Sequence, residues 1–359
     1  MQADIQEKAL KALQESRDKC KCLHVSMRVG KTKIVIDYLK AKKNSGKVFI
    51  CYPTNTIFEN WKKELIKWNS TGIDITFCNF SSIKNYTDYS FDTIIIDEAQ
   101  EASPNEIQLL QEIVGNSEEA IVCSGTLSKA TKEVLQFSLN MKITFEYLIH
   151  LAIKDQIVAD YQITIHYVNL DNTIKKKMKN GKLKTEKEQY NAYTYVFEAL
   201  KKQGRDFKHI LLGRNRVSQN SLSKLRYTQS FLSKNKGKRA IVFCGLSTIA
   251  DLVCKNSYHS KNLKKNNLER FNIHEIDTLS LVNMAKSGVT FADLDMVVLN
   301  GFEGNPETLS QIVGRAQMLD YNNKVADIHI ICLNEEAEIK KLDKALALLD
   351  KSKILTSKK

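Results

Sequence analysis

The sequence predicts an α/β protein built from two mostly parallel sheets, each with helices on both faces. Three observations carry that expectation. At 359 residues the chain exceeds the length over which a single hydrophobic core usually grows. Short β-branched runs such as KVFICY, FDTIIID and EAIVCS are apolar on both faces and alternate with amphipathic stretches of helical length, as strands buried between helix layers do. The alternation occurs once within residues 1–155 and again within 236–346, with a different texture between. No unit of roughly 20–50 residues recurs, which excludes a solenoid.

In order, residues 4–19 read as an amphipathic helix, followed by the strand CLHVS, the loop MRVGKT and the helix KIVIDYLKAKK. Strand, glycine-bearing loop and helix are the context of a phosphate loop. The strand GKVFICYPTN, the helix TIFENWKKELIKW and the strand DITFCNF come next, and then FDTIIIDEAQ and EAIVCSGT, two strands with polar tips. These elements make a first domain over 1–155. Residues 156–235 read as connecting chain: the stretch 146–170 looks like a crossover out of the first sheet, 171–189 is a lysine-rich loop or helix start, and a helix covers 218–234. The second core, 236–346, contains strand 239–245, a helix from Thr248, strands 274–282 and 295–301, helix 306–316, strand 325–333 and a helix from Glu335. Residues 347–359 read as a basic tail.

No stretch approaches the roughly 18 apolar residues of a membrane span, and the start MQADIQEKAL is no signal peptide, so a cytoplasmic protein with no membrane partner is expected. The eight cysteines sit mostly in apolar runs and read as small buried hydrophobes; Cys20 and Cys22 lack the second pair that a zinc site needs. The net charge of +13 favours a polyanionic partner, nucleic acid by default. A Lys/Asn/Ile-rich composition from an AT-rich genome is the competing explanation of the charge.

Gly30-Lys31-Thr32 places a lysine for the β/γ-phosphates and a hydroxyl for Mg²⁺ at the start of a helix, where the dipole favours anions. Alone, GKT is equally compatible with a surface turn opening a helix, and the early glycine of G-x-x-x-x-G-K-[ST] is missing: Val25 stands there, with Met27-Arg28-Val29 filling the loop. The partner that decides is IIIDEAQ, a buried strand ending in Asp97, which can hold magnesium, and Glu98, which can polarise the attacking water. Simple dipole capping accounts for the acidic pair but not for the isoleucines before it.

With these residues the chain resembles the superfamily 2 helicases and translocases, whose two domains are RecA-like. GKT is similar to motif I, PTN (53–55) with WKKEL to motif Ia, DEAQ to motif II, SGT (124–126) to motif III and QIVGR (311–315) to motif VI. WKKELIKW, LAIKDQIVADYQI and the stretch from FNIHEIDTL resemble the type III restriction, Swi/Snf-like and phage recombination helicases, and the Met-Arg pair before GKT suggests a compact phage-encoded member. The resemblance implies ATP and Mg²⁺ as cofactors, with Gln6, Arg28, Gly30, Lys31 and Thr32 at the nucleotide, Thr32 and Asp97 on the metal, and Lys31, Asp97, Glu98, Gln311 and Arg315 in catalysis. Arg315 matches the arginine that stabilises charge on the transferring phosphoryl group, but a second arginine usual in motif VI is replaced by Met318, and Ile312 likewise replaces a frequent arginine. It also implies Thr54, Asn55 and Ser81 in the first domain and Gly245, Asn283 and Gly288 in the second as contacts to a nucleic-acid backbone, since amides and small hydroxyls hold phosphates without reading bases. Trp61 and Trp68, seven apart, read as core packing rather than base stacking.

The resulting expectation is an ATP-dependent DNA motor acting on single-stranded, duplex or branched DNA in the cytoplasm of a bacterial host, with replication or recombination proteins as further partners. An RNA helicase is the second reading, against which DEAQ and the Swi/Snf-like WKKEL count. A nucleic-acid-binding module with weakened hydrolysis is the third, favoured by Met318; a small-molecule P-loop kinase is a distant fourth.

Overall fold

The computed structural model describes residues 1–42, 46–177, 181–262, 266–282, 291, 293–317 and 325–357. Two compact units divide the chain at Ala159/Asp160. In the first, the strands are β1 (Cys20–Val25), β2 (Val48–Tyr52), β3 (Ile75–Asn79), β4 (Thr93–Asp97), β5 (Glu119–Ser124) and β6 (Lys142–Tyr147). The helices are α1 (Gln2–Glu15), α2 (Lys31–Ala41), α3 (Asn55–Lys67), α4 (Pro104–Gly115), α5 (Lys129–Leu139) and α6 (Ile149–Lys154). The six strands lie in the order β3-β2-β4-β5-β1-β6, every pair parallel. Alternate residues of each strand feed two apolar cores: Leu23, Ile50 and Ile95 meet Ile34, Leu39 and Trp61 on one face, while Cys22, Phe49 and Ile96 meet Leu110, Ile113 and Leu135 on the other. This order sets the carboxyl ends of β4, β5 and β1 side by side, which is where open parallel sheets gather their functional groups.

The second unit contains β7 (Tyr161–Val168), the two-residue strands β8 (Lys176–Lys177) and β9 (Leu183–Lys184), β10 (Ala240–Cys244), β11 (Ser257–Tyr258), β12 (Thr278–Val282), β13 (Met296–Leu299), β14 (Ala326–Leu333) and β15 (Ile354–Thr356). Its helices are α7 (Glu186–Lys202), α8 (Lys208–Gln219), α9 (Leu222–Lys234), α10 (Ser247–Val253), α11 (Asn267–Asn272), α12 (Pro306–Ala316) and α13 (Glu336–Ala345). Seven strands form a second parallel sheet, β11-β12-β10-β13-β14-β7-β15. The architecture is thus the expected one, two mostly parallel sheets flanked by helices.

Segment 156–235 is more than connecting chain. It holds β7, which pairs along its whole length with β14, and three helices, α7 opening on a capping box between Thr185 and Glu188. Tyr161, Ile163 and Ile165 are buried at alternate positions, as expected of a strand, and YQITIHYV joins the sheet rather than crossing out of it. The lysine-rich stretch forms the antiparallel β8–β9 pair before α7. The helix read over 218–234 is broken at Asn220, where Ser221 caps α9 by accepting from the Lys224 N–H. Part of the basic tail is β15, laid parallel against β7 with Ile354 opposite Ile163. All eight cysteines are free thiols, and all but Cys254 are buried. Among the described residues no helix is long and apolar enough to cross a membrane.

Candidate nucleotide site and nucleic-acid contacts

The loop after β1 is built as a phosphate loop despite its missing glycine. Gly30 adopts a left-handed conformation (φ 97°) and Arg28, which is exposed, does so too (φ 71°), a state that costs a non-glycine residue about 1–2 kcal/mol. Side chains of α1 hold it there. Gln2 Nε2 donates to the Arg28 carbonyl at 2.8 Å and Gln6 Nε2 to the Val29 carbonyl at 2.7 Å. The φ favours glycine, and a Cβ on Gly30 would stand 2.5 Å from Gln6 Nε2, so a larger residue would also displace the Gln6 amide. Gln6, expected at adenine, is therefore engaged through its amide with the loop backbone.

Lys31 and Thr32 open α2 just beyond the loop. The Lys31 ammonium lies 3.8 Å from Glu98 Oε1. Asp97 ends β4 and is 7% exposed. Both its oxygens are held: Trp61 Nε1 donates to Oδ2 at 2.9 Å and the Glu98 N–H to Oδ1 at 3.0 Å. Burial first, and the neighbouring Glu98 charge second, push the Asp97 carboxyl up to about 6, against the pull of Lys31 and of those two donors. Glu98 itself takes a left-handed φ of 50°, turning its side chain out of the strand direction. Its Oε2 accepts from Gln100 Nε2 at 2.5 Å, and Gln100 Oε1 accepts from Ser124 Oγ at 2.5 Å. Ser124 Oγ also lies 3.1 Å from the Thr126 carbonyl oxygen and accepts from the Thr126 N–H at 3.2 Å. The tips of β4 and β5 are thus joined by hydrogen bonds through Gln100, and Lys31, beyond β1, meets them through its ion pair with Glu98.

A hydroxyl and a carboxylate are hard oxygen donors, and Thr32 with Asp97 fit Mg²⁺ in chemistry; a carboxylate that accepts two hydrogen bonds keeps further lone pairs. Among the described residues no group of three or more His, Cys, Asp or Glu is placed to hold a metal. The remaining ligands of a magnesium ion here would be phosphate oxygens and water, the usual arrangement for this cation.

The expected nucleic-acid residues have mixed surroundings. Thr54 is the N-cap of α3 in an extended conformation, and its hydroxyl is buried without a partner; Asn55, beside it, is exposed. Ser81 is exposed and donates from both N–H and Oγ to Asn79 Oδ1, closing a local cap. Gly245 follows β10 where space is short: a Cβ there would meet the Gln219 side chain at 2.9 Å, and one on Gly301 would meet the Gly245 nitrogen at 2.5 Å. Asn283, Gly288 and Met318 lie outside the described residues.

In the second unit α12 is started by Asn305, whose side chain accepts from the Glu307 and Thr308 N–H groups, with Pro306 in the first turn. Gln311 and Arg315, one turn apart, share a face; Gln311 is buried and Arg315 half-buried. Ile312 faces the apolar core, which explains an aliphatic residue there.

Three residues of the first unit's constellation were not singled out individually from sequence: Trp61 as the Asp97 partner, and Gln100 with Ser124 as the link from β4 to β5. The DEAQ and SGT strings contain the last two. Trp61 was legible only as a core residue, which at 2% exposed it also is.

The fold defines the chain's class: two RecA-like domains in tandem. Residues 223–318 match the family described as helicase conserved C-terminal domain. No curated protein matches the sequence. Among solved structures, S. cerevisiae Dbp5 bound to RNA and ADP BeF3 is similar with a TM-score of 0.60 at 11% identity, over 98% of this chain and 89% of that one. The Pyrococcus furiosus Hef helicase domain gives 0.52 at 12%, over 96% and 97%. The ATP-dependent type ISP restriction-modification enzyme LlaBIII bound to DNA gives 0.58 at 13%, over 99% of this chain and 31% of that one. At these identities the likeness establishes the fold, and the family match over 223–318 supports helicase-type action on nucleic acid.

Proposed function

We propose that the chain is an ATP-dependent DNA helicase or translocase of superfamily 2, phage-encoded, that couples ATP hydrolysis to movement on or remodelling of DNA during replication, recombination or repair. The observation that carries this reading is the convergence of Lys31, buried Asp97 and Glu98 at adjacent strand tips, with Lys31 Nζ 3.8 Å from Glu98. In this reading Lys31 neutralises the β/γ-phosphates, Thr32 and Asp97 hold Mg²⁺, and Glu98 orients and polarises the attacking water. Bound magnesium supplies charge neutralisation on the phosphate oxygens. On the family resemblance Gln311 and Arg315 on α12 are the catalytic candidates of the second unit, Arg315 as a guanidinium suited to stabilising charge on a transferring phosphoryl group. Nucleotide-bound and nucleotide-free states then differ in their grip on a strand held by Thr54, Asn55 and their counterparts in the second unit, without which no net movement results.

DNA is preferred over RNA on the Swi/Snf-like WKKELIKW and on DEAQ. The similar structures include Dbp5 bound to RNA and LlaBIII bound to DNA, so RNA remains the second reading. The test is ATP turnover with single-stranded, duplex and forked DNA and with RNA of the same sequences. DNA stimulates phosphate release in the wild type and Glu98→Gln abolishes it. Stimulation by RNA alone transfers the reading to an RNA helicase. Binding without any stimulation, together with a silent Lys31→Ala, leaves only a binding module.

A further inference from the structure

Trp61 is among the largest fully buried side chains of the chain, and its one polar atom is committed to Asp97. Its cluster companions Leu65, Ile50 and Ile95 are apolar and offer no partner to a polar atom, whereas a buried indole N–H must be given an acceptor. That acceptor is the carboxylate expected to hold magnesium, fixed on its other oxygen by the rigid β4–Glu98 backbone. Trp61 is thus the only side chain hydrogen-bonded to Asp97 among the described residues, and it arrives from a different element, α3. The same helix begins at Asn55 with Thr54 as its cap, and the Thr54 hydroxyl is buried without a partner at that end. From Asn55 to Trp61 is under two helical turns, about 9 Å at 1.5 Å per residue, a distance over which an α-helix moves as a rigid body.

We propose that Trp61 is a positioning residue that ties the Asp97 carboxylate to α3, so that seating a nucleic-acid strand against the Thr54–Asn55 end of the helix sets the orientation of the carboxylate at the nucleotide. The inference rests on the nucleotide-driven function proposed above. Hydrogen bonds weaken steeply as they bend or stretch, so a displacement of α3 by about 1 Å either rotates the carboxylate or breaks the bond.

Trp61→Phe keeps an aromatic ring in the core and removes the donor. DNA-stimulated kcat, taken per folded molecule with the folded fraction read by circular dichroism, should fall about ten-fold while KM for ATP changes less than about two-fold. A second measurement does not depend on that variant folding. The chain has two tryptophans, so in Trp68→Phe the only indole emission comes from Trp61. Addition of single-stranded DNA without nucleotide should shift that emission, and the shift should vanish in Trp68→Phe/Asp97→Ala. An emission indifferent to DNA overturns the proposal, as does a Trp61→Phe chain whose stimulated turnover equals the wild type while Lys31→Ala and Glu98→Gln abolish it. If all three variants leave phosphate release unchanged, the proposed function itself fails.

Discussion

The ammonium of Lys31 rests against the bare Cα of Gly125: a methyl group built there would stand 3.0 Å from Lys31 Nζ and 3.3 Å from Met27 Cγ. Gly125 belongs to the SGT tip of β5, so its glycine is explained by the space that the phosphate-loop lysine occupies, not by backbone conformation. Gly125→Ala is expected to displace the ammonium and raise KM for ATP several-fold, at a stability cost of about 1 kcal/mol or less because the crowded atom is the end of a flexible side chain. Steady-state ATP hydrolysis and chemical denaturation of the same variant check both halves. An unchanged KM would mean that the ammonium has room to spare.

Gln100 is the bridge between the water-polarising candidate and the next strand, donating to Glu98 Oε2 and accepting from Ser124 Oγ. Without it the Glu98 side chain loses its only hydrogen-bond donor among the described residues and gains rotamer freedom, and misplacement by about 1 Å can cost as much as 100-fold in rate. Gln100→Ala should therefore lower kcat by about 10- to 100-fold with little change in KM, and Ser124→Ala by less. Because the two residues act through one chain of bonds, the double variant should be no worse than Gln100→Ala alone. A double-mutant cycle on kcat decides: additive losses would show two independent roles.

The phosphate loop and the acidic strand end were legible because each is a local event. A strand, a turn and a helix follow one another within a short stretch, and the residues that carry the chemistry sit at the junctions. What stayed hidden depended on partners remote in sequence. β7 becomes a central strand only by pairing with β14 and β15, neither of which leaves a mark on YQITIHYV itself. β15 lies within a lysine-rich end of the chain, where Ile354 opposite Ile163 outweighs composition. The burial of Trp61 followed from its spacing, but its bond to Asp97 depends on α3 crossing the face of the sheet below β4. Trp68, seven residues on, instead donates to Glu64 on its own helix and lies under Lys33.

At the opposite, amino ends of the strands, Glu119 collects four donors: Lys21 at 2.8 Å, Lys42 at 2.7 Å, the Tyr38 hydroxyl at 2.7 Å and the Thr93 hydroxyl at 3.1 Å. Burial would raise its carboxyl, but these bonds prevail and bring it down to about 2. Lys21 is 5% exposed, so removing the carboxylate strands a buried ammonium. Glu119→Gln is expected to destabilise the chain by about 3 kcal/mol, read as a lower denaturation midpoint, and Lys21→Met/Glu119→Leu to recover most of that loss. A Glu119→Gln chain as stable as the wild type would mean that Lys21 finds water or another acceptor.

His166 offers a pH dependence of opposite sign to that of an ordinary ion pair. Its ring is 6% exposed and sits between Tyr227, whose hydroxyl is 2.8 Å from Nδ1, and His329, 3.0 Å from Nε2, with Phe231 against its face and Asp327 bonded to the far side of His329. Burial, reinforced by His329, lowers its pKa from 6.5 to about 4, the Asp327 charge opposing. Because the folded value lies below the unfolded one, the unfolded chain takes up the proton first. Stability is fully present above pH 6.5 and is lost as pH falls toward 4, by about 2 kcal/mol once screening is allowed for. Asp327, whose carboxyl is lowered, loses its own contribution only below the usual carboxylate range. Denaturation midpoints between pH 4 and pH 7 should therefore fall less steeply with acid in His166→Gln, which keeps hydrogen-bonding groups in place but does not titrate, than in the wild type. Equal acid slopes in the two proteins would assign the loss to other groups.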